Sequence, residues 1–342
     1  MNVNIMTNKF EVSRRSFIGI AGVAGLTAQV LFSRSASAES DFPTKPLTMY
    51  ISFALEGSSG KVGQLLGAKM QERLGQAIGF KGHPGGLGGS IAAEAAAKVA
   101  PDGYIMLMGT VGNITLLPNI YKGYTIKPLK DFIPITQVTF TPDVLIAHPS
   151  APYNTFDEFV KYAKANPGAI HYSQIAPGSI HRMEFESIIA ATGIELTLND
   201  KVTSSDNAMK ALADGTIQVA MTTVPYVLPV LQSGKAKALA LASNKLSAQL
   251  PRVPLFKTVG VADIPYGSWN GLFVPTGTPR PIVDKLFDAI KYAAEDPVVK
   301  TAIEAMGMYV NISESPDAFR AFLEAETARF GAIAQKSGIV IQ

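Results

Sequence analysis

The 342-residue chain contains no cysteine. That absence excludes a disulfide framework, a thiolate nucleophile and a lipid-modified cysteine. Charge is also sparse: only 17% of residues are Asp, Glu, Lys or Arg, and the formal net charge is +3. Four basic residues (Lys9, Arg14, Arg15, Arg34) and one acid (Glu11) fall in the first 38 residues, which leaves 26 of each sign after them. A nucleic-acid-binding surface needs a concentrated basic excess, and the balanced remainder excludes it. The four histidines, His83, His148, His171 and His181, are scattered with no metal-ligand spacing to one another or to acids. They read as surface or hydrogen-bonded structural residues, and no residue is assigned as a metal ligand.

The usual catalytic signatures are missing or incomplete. Gly57 and Gly60 enclose two residues and Val62 follows Lys61, whereas a phosphate-binding P-loop needs four residues and a Ser or Thr after the lysine. Ser58-Ser59-Gly60-Lys61 fits Ser-x-x-Lys and Ser205-Asp206-Asn207 fits Ser-Asp-Asn, two marks of acyl-serine enzymes, but the third mark, Lys-Thr-Gly, is absent. There is no Gly-x-Ser-x-Gly elbow. Polar, glycine-rich loops without an evident nucleophile suit binding better than turnover.

What is present is apolar: 47% of the chain is hydrophobic, enough for two domains with buried cores. At the N-terminus, Ser13-Arg14-Arg15-Ser16-Phe17-Ile18-Gly19 precedes "FIGIAGVAGLTAQVLF" and then Ala36-Ser37-Ala38. Two arginines, a glycine-diluted apolar stretch and a small-residue cleavage site follow the order required for export and resemble a twin-arginine signal peptide over 1–38. The competing reading is a membrane anchor, for which about 16 residues with three glycines is short of the ~20 needed.

Beyond the leader, "LTMYISF", "AIGFKG" and "YIMLMG" read as strands separated by glycine loops and the amphipathic stretches "KVGQLLGAKMQERLG" and "SIAAEAAAKVA". Strand, glycine loop and helix in repetition predict an α/β lobe with a largely parallel sheet, whose ligands bind at the carboxyl ends of the strands. "AIHYSQ", "IQVAMTTV" and "KALALAS" predict a second such lobe, and Thr155 with Glu158 has the spacing of a capping box. "FIPITQVTFTPDVLIAHPS" and "GSWNGLFVPTGTP" are long extended runs suited to crossing between lobes. The predicted division is 39–143 with 266–342 in one lobe and 144–265 in the other.

The order of short motifs is similar to that of the substrate-binding receptors of tripartite tricarboxylate transporters, the Bug-type periplasmic proteins. The matching residues are Phe53 with Gly57-Ser58-Ser59, Pro84 through Gly89, Ala100-Pro101-Asp102-Gly103-Tyr104, Gly109-Thr110, Pro128 through Phe132, and Ala165-Asn166-Pro167-Gly168. Tyr172-Ser173, Gly178-Ser179, Pro225 through Pro229, Gly234-Lys235, Leu250 through Pro254, Trp269 through Phe273 and Pro275 through Pro279 continue the series. Each is short, but together they span essentially the whole mature length.

The resemblance implies a two-lobed periplasmic-binding fold of type II character with two extended crossings, a small organic acid as ligand, a membrane permease as partner and a monomeric receptor. It implies no cofactor and no reaction. Two glycine loops are expected to grip a carboxylate through backbone N–H groups and hydroxyls. By position, Gly57, Ser58, Ser59, Gly85, Gly86, Gly88, Gly89, Thr110 and Asn113 are the candidates in the first lobe. Ser173, Gly178, Ser179, Thr222 and Thr223 are those of the second.

The chain departs from the family pattern in places. Glu56 brings an acid to the first loop, and Gly60 replaces the usual aspartate. The second loop is one residue longer, and the usual Pro-Tyr-Lys-Gly is missing around Asp200–Ser205. Thr222 stands for a frequent acid and Arg182 for a common histidine. Glu56 is a candidate partner for a cationic ligand group or a barrier to a second carboxylate, with a solvent-facing position as its alternative. Arg182 is a candidate partner for a distal carboxylate. Two other functions share these features: a sensor subunit with the same pocket, and a secreted hydrolase using Ser58 and Lys61.

Overall fold

The computed structural model describes residues 41–174, 179–202, 204–265 and 267–342. The leader and its cleavage site lie outside the described residues. The chain divides into two compact units, Met1–Thr44 and Lys45–Gln342. Only a short segment of the first, residues 41–44, is described, and the architecture below is that of the second.

Strands β1 (Leu47–Ile51), β2 (Ile78–Gly82), β3 (Ile105–Thr110), β4 (Phe132–Thr141), β10 (Ser268–Pro275) and β11 (Tyr309–Val310) form a six-stranded sheet in the order β11-β4-β10-β3-β1-β2. Strands β5 (Asp143–Ala147), β6 (His171–Ser173), β7 (Thr197–Leu198), β8 (Val219–Thr223) and β9 (Lys237–Ala242) form a second sheet in the order β7-β6-β8-β5-β9. Two α/β lobes result. The extended run 132–147 is two strands, broken at Pro142, which leaves β4 in one sheet and β5 in the other. The chain returns between Ala242 and Ser268.

The expectation of largely parallel sheets needs one amendment. β1 is parallel to β2 and β3, and β6 is parallel to β7 and β8. Yet β10 runs antiparallel to both β3 and β4, and β5 runs antiparallel to both β8 and β9. Each reversed strand is the one delivered by a crossing. A chain arriving from the other lobe enters the sheet from the end at which the resident strands finish.

Local sequence explains the elements that carry the site. Helix α1 (Ser58–Leu74) buries Val62, Leu66, Met70 and Leu74 at four-residue intervals, a single apolar stripe, and stops at Gly75 in the left-handed conformation. Helix α2 (Ser90–Ala96) follows the glycine cluster. In the second lobe, helix α3 (Phe156–Ala165) opens on the anticipated capping box: Thr155 accepts from the Glu158 N–H while Glu158 accepts from the Thr155 N–H. Helices α4 (Ile180–Thr192), α5 (Ser205–Ala213) and α6 (Val224–Gln232) complete that lobe. Helices α7 (Arg280–Glu295), α8 (Pro297–Ala305) and α9 (Pro316–Ser337) return to the first.

Strand β5 shows why the second lobe is stable. Val144 and Ile146 join one apolar cluster with Leu212 and Val227, while Leu145 and Ala147 join another with Phe159 and Tyr172. Both faces of the strand are covered, so it reads as a continuous apolar run rather than an alternating one. Helix α4 is buried nearly all round: Phe185 and Ile188 belong to the second lobe's core, and Ile180 and Met183 reach into the cluster around Trp269 and Phe319 of the first.

Replacing Thr155 by alanine removes the reciprocal cap and is expected to lower stability by about 1 kcal/mol. A shift of the urea midpoint without a change in slope measures it.

Candidate functional site

A cavity of about 420 Å³ opens between the lobes and draws its lining from both. The first lobe contributes Phe53, Ser58, Ser59, Gly86, Gly88 and Thr110. Ser179, Ile180, Thr223, Pro225 and Tyr226 come from the second, and Thr141, Ser268, Trp269 and Asn270 from the crossings. Among the described residues no Asp, Glu, His, Lys or Arg lines it.

In place of charged side chains there are helix N-termini. Helix α1 starts after Gly57, α4 after Ser179 and α6 after Thr223, and none of the three has a side-chain cap or an acid in its first turn. The Ser179 hydroxyl, which could have capped α4, instead donates to the Gln174 carbonyl. First-turn residues of all three helices line the cavity. At α6 the Val224 N–H donates to the Pro142 carbonyl at 3.0 Å and Pro225 has none, so the open ends are those of α1 and α4. Their uncapped N–H groups carry partial positive charge and favour an anion without a counter-charge on a side chain.

The glycine cluster is explained by its backbone. Gly85, Gly86, Gly88 and Gly89 all have positive φ, at 105°, 70°, 53° and 84°. Side chains would be strained at all four, and only a run of glycines permits this path. Close approach adds to the constraint: a Cβ on Gly112 would stand 2.9 Å from the Gly88 carbonyl oxygen. Gly60 has a similar origin, because a Cβ there would lie 2.2 Å from the Leu55 carbonyl oxygen. The loop 55–57 folds onto the start of α1, which leaves no room for the family's usual aspartate.

Asn113 holds the loop from behind. Its Nδ2 donates to Ser52 Oγ and to the Gly89 carbonyl, both at 2.9 Å, and its Oδ1 accepts from the Thr110 N–H at 2.9 Å. Ser52 in turn donates to the Met108 carbonyl, and Thr110 Oγ1 donates to the Gly88 carbonyl. Both amide protons of Asn113 are engaged, so it positions the ends of β1 and β3 and the glycine loop rather than facing a ligand. On the opposite wall Ser59 Oγ donates to Asn270 Oδ1 at 2.7 Å, and Asn270 Nδ2 donates to Thr139 Oγ1 at 3.0 Å. This chain ties α1 to β10 and β4.

The structure therefore sorts the sequence candidates. Ser58, Ser59, Gly86, Gly88, Thr110, Ser179 and Thr223 meet at the cavity. Gly57 and Gly85 sit in the same loops beside it, and Gly89 and Asn113 are buried behind it. Ser173 and Thr222 are buried in the second sheet, outside the lining. Gly178 lies outside the described residues. Glu56 is exposed and away from the lining. Arg182 does not reach the cavity either, because its guanidinium pairs with Glu186 at 2.6 Å along the helix. Lys61, the partner required by an acyl-serine mechanism, lines a separate surface groove with Gln64 and Lys69.

Sequence reasoning assigned no site role to Trp269, Asn270, Thr141, Pro225 or Tyr226, although four of them, all but Thr141, lie in the short motifs it singled out. Position at the crossings and at a helix start was the available signal. Trp269 packs edge-on against Phe319 and Phe322, with ring centroids 5.9 Å away in each case, and its buried Nε1–H has no partner among the described residues. Phe53 and Tyr226 expose 41% and 50% of their surface, so the cavity has aromatic walls on both lobes. Burial, with a smaller contribution from Lys81, lowers the pKa of His83 from its ordinary value.

Replacing Asn113 by alanine leaves the Gly89 carbonyl and the Thr110 N–H unpaired in a buried setting. The expected loss is about 2–4 kcal/mol of stability in urea unfolding.

The family model described as "Tripartite tricarboxylate transporter family receptor" matches residues 62–339. The chain is 28% identical over 327 residues to protein BugT of Bordetella pertussis, covering 94% of this chain and 95% of that one. A solved R. palustris protein with adipate is 27% identical at a TM-score of 0.74, covering 87% of this chain and 99% of that one. MatC of Rhodopseudomonas palustris with bound malate is 28% identical at a TM-score of 0.71, covering 85% and 99%. The two lobes and their crossings are thus those of the periplasmic binding proteins, and the chain belongs to the tripartite tricarboxylate transporter receptor family.

Proposed function

We propose that the protein is an extracytoplasmic receptor that closes over a small organic acid, a monocarboxylate with an apolar or aromatic body, and delivers it to the membrane subunits of a tripartite transporter. One observation carries this reading: the uncapped N-termini of α1 and α4 converge on a cavity with aromatic walls and, among the described residues, no charged side chain. The N-termini favour one carboxylate. Phe53, Trp269, Tyr226, Ile180 and Met308 favour an apolar remainder, and among the described residues a second carboxylate finds no cationic side chain in the lining. The adipate and malate of the structural relatives support a carboxylate ligand in general.

The reading involves binding without turnover. Lining residues from both lobes give a bound ligand contacts on each side, so it favours the closed arrangement and shifts the hinge equilibrium. The periplasm is the corresponding location, reached by way of the arginine-containing leader.

A thermal-shift screen of the protein against mono-, di- and tricarboxylates, aromatic acids and amino acids tests the proposal. The expected outcome is the largest rise in melting temperature with an apolar or aromatic monocarboxylate, equivalent to about 2.7 kcal/mol at a hundred times Kd. Stabilisation by dicarboxylates alone would refute the ligand class, and no response to any carboxylate would refute the receptor reading. Trp269→Ala is expected to weaken the best ligand by about tenfold or more in calorimetry, through lost aromatic contact.

A further inference from the structure

We infer that Asp143, His181 and Glu184 form a divalent metal site inside the second lobe, behind the wall of the cavity. Asp143 is the first residue of β5, directly after the crossing at Pro142. His181 and Glu184 are three residues apart in the first turns of α4, which places them on one face. Their ligand-capable atoms lie within 4.8 Å of one another, and His181 Nε2 is 3.6 Å from Asp143 Oδ2. Sequence reading had found no metal spacing for any histidine, because the third donor comes from a strand 38 residues earlier in the chain.

The three groups face one another, and among the described residues nothing outside the cluster offers them a partner. Asp143 and Glu184 are fully buried and His181 is 8% exposed. Both carboxylate oxygens of Asp143, both of Glu184 and both ring nitrogens of His181 are buried without a hydrogen-bond partner among the described residues. Arg182, next in sequence, is paired with Glu186. Two adjacent carboxylates sealed from water without a cation are costly, since an unpaired buried ion carries a penalty of about several kcal/mol. A divalent cation supplies the missing charge and the missing partners together.

The donor set indicates which cation. One imidazole nitrogen and two carboxylate oxygens suit Zn²⁺ or Mn²⁺, whereas Ca²⁺ and Mg²⁺ prefer all-oxygen shells. The metal would clamp the crossing strand to the helix whose first residues, Ser179 and Ile180, line the cavity. It is a positioning device for one half of the ligand site and does not depend on which ligand is bound.

The test uses tag-free full-length protein, stripped with chelator, dialysed, and loaded with Zn²⁺, Mn²⁺ or Co²⁺. We expect about one tightly held equivalent by elemental analysis, a higher melting temperature and, for Co²⁺, visible absorption of an ion bound by nitrogen and oxygen. H181Q and E184Q are each expected to weaken Zn²⁺ binding by more than about tenfold, while H148Q, at an exposed histidine, leaves it unchanged. Failure of the wild type to retain any of the three ions would overturn the proposal and leave a proton shared between Glu184 and Asp143 as the balancing charge. Retention that is unaltered in both variants would overturn it as well. If either variant does not fold, the wild-type equivalents and Co²⁺ spectrum decide alone.

Discussion

The cavity depends on backbone N–H groups left uncapped at the starts of α1 and α4. Everything around the cavity serves to keep them open and aimed. Gly57 precedes α1 without a side chain to cap it, and Ser179 turns its hydroxyl to Gln174, while at α6 the Val224 N–H is taken by the Pro142 carbonyl. An N-terminus in water would normally be capped or solvated. Leaving such ends uncapped around one volume is tolerable only where an anion or ordered water completes them.

That arrangement explains the tight constraints on the loops. Backbone groups cannot be moved independently as side chains can, so their position must come from the scaffold. The Ser52–Asn113–Gly89–Thr110 network locks the glycine loop to the ends of β1 and β3, and Ser59–Asn270–Thr139 locks α1 to the crossing strand. Four positive-φ glycines give the loop its path, and the buried asparagine gives it rigidity. The reversed strands β5 and β10 connect these local arrangements to the hinge, because each begins beside residues that line the cavity.

Helix α4 unites the remaining features. It presents Ser179 and Ile180 to the cavity, packs Ile180 and Met183 against the first lobe and packs Phe185 and Ile188 into the second. With apolar contacts on both flanks, its polar residues His181, Glu184 and Ser187 are enclosed rather than solvated. A helix in this position has little freedom to adjust unless whatever balances its buried charges is maintained.

The sequence by itself determined the two α/β lobes, the crossings, the capping box at Thr155 and the glycine loop. These follow from local chemistry: apolar periodicity, the backbone freedom of glycine and hydrogen bonds three residues apart. It also named Ser58, Ser59, Gly86, Gly88, Thr110, Ser179 and Thr223, all of which line the cavity between the lobes. Only the tertiary structure decided that Asn113 is a brace, that Glu56 faces away, that Arg182 pairs with Glu186, and that Trp269 and Tyr226 form walls. The same holds for the meeting of Asp143 with His181 and Glu184. The physical reason is that a side chain's direction and its partners are set by packing between segments distant in the chain, and no spacing along the sequence encodes which of several polar groups will face the cavity.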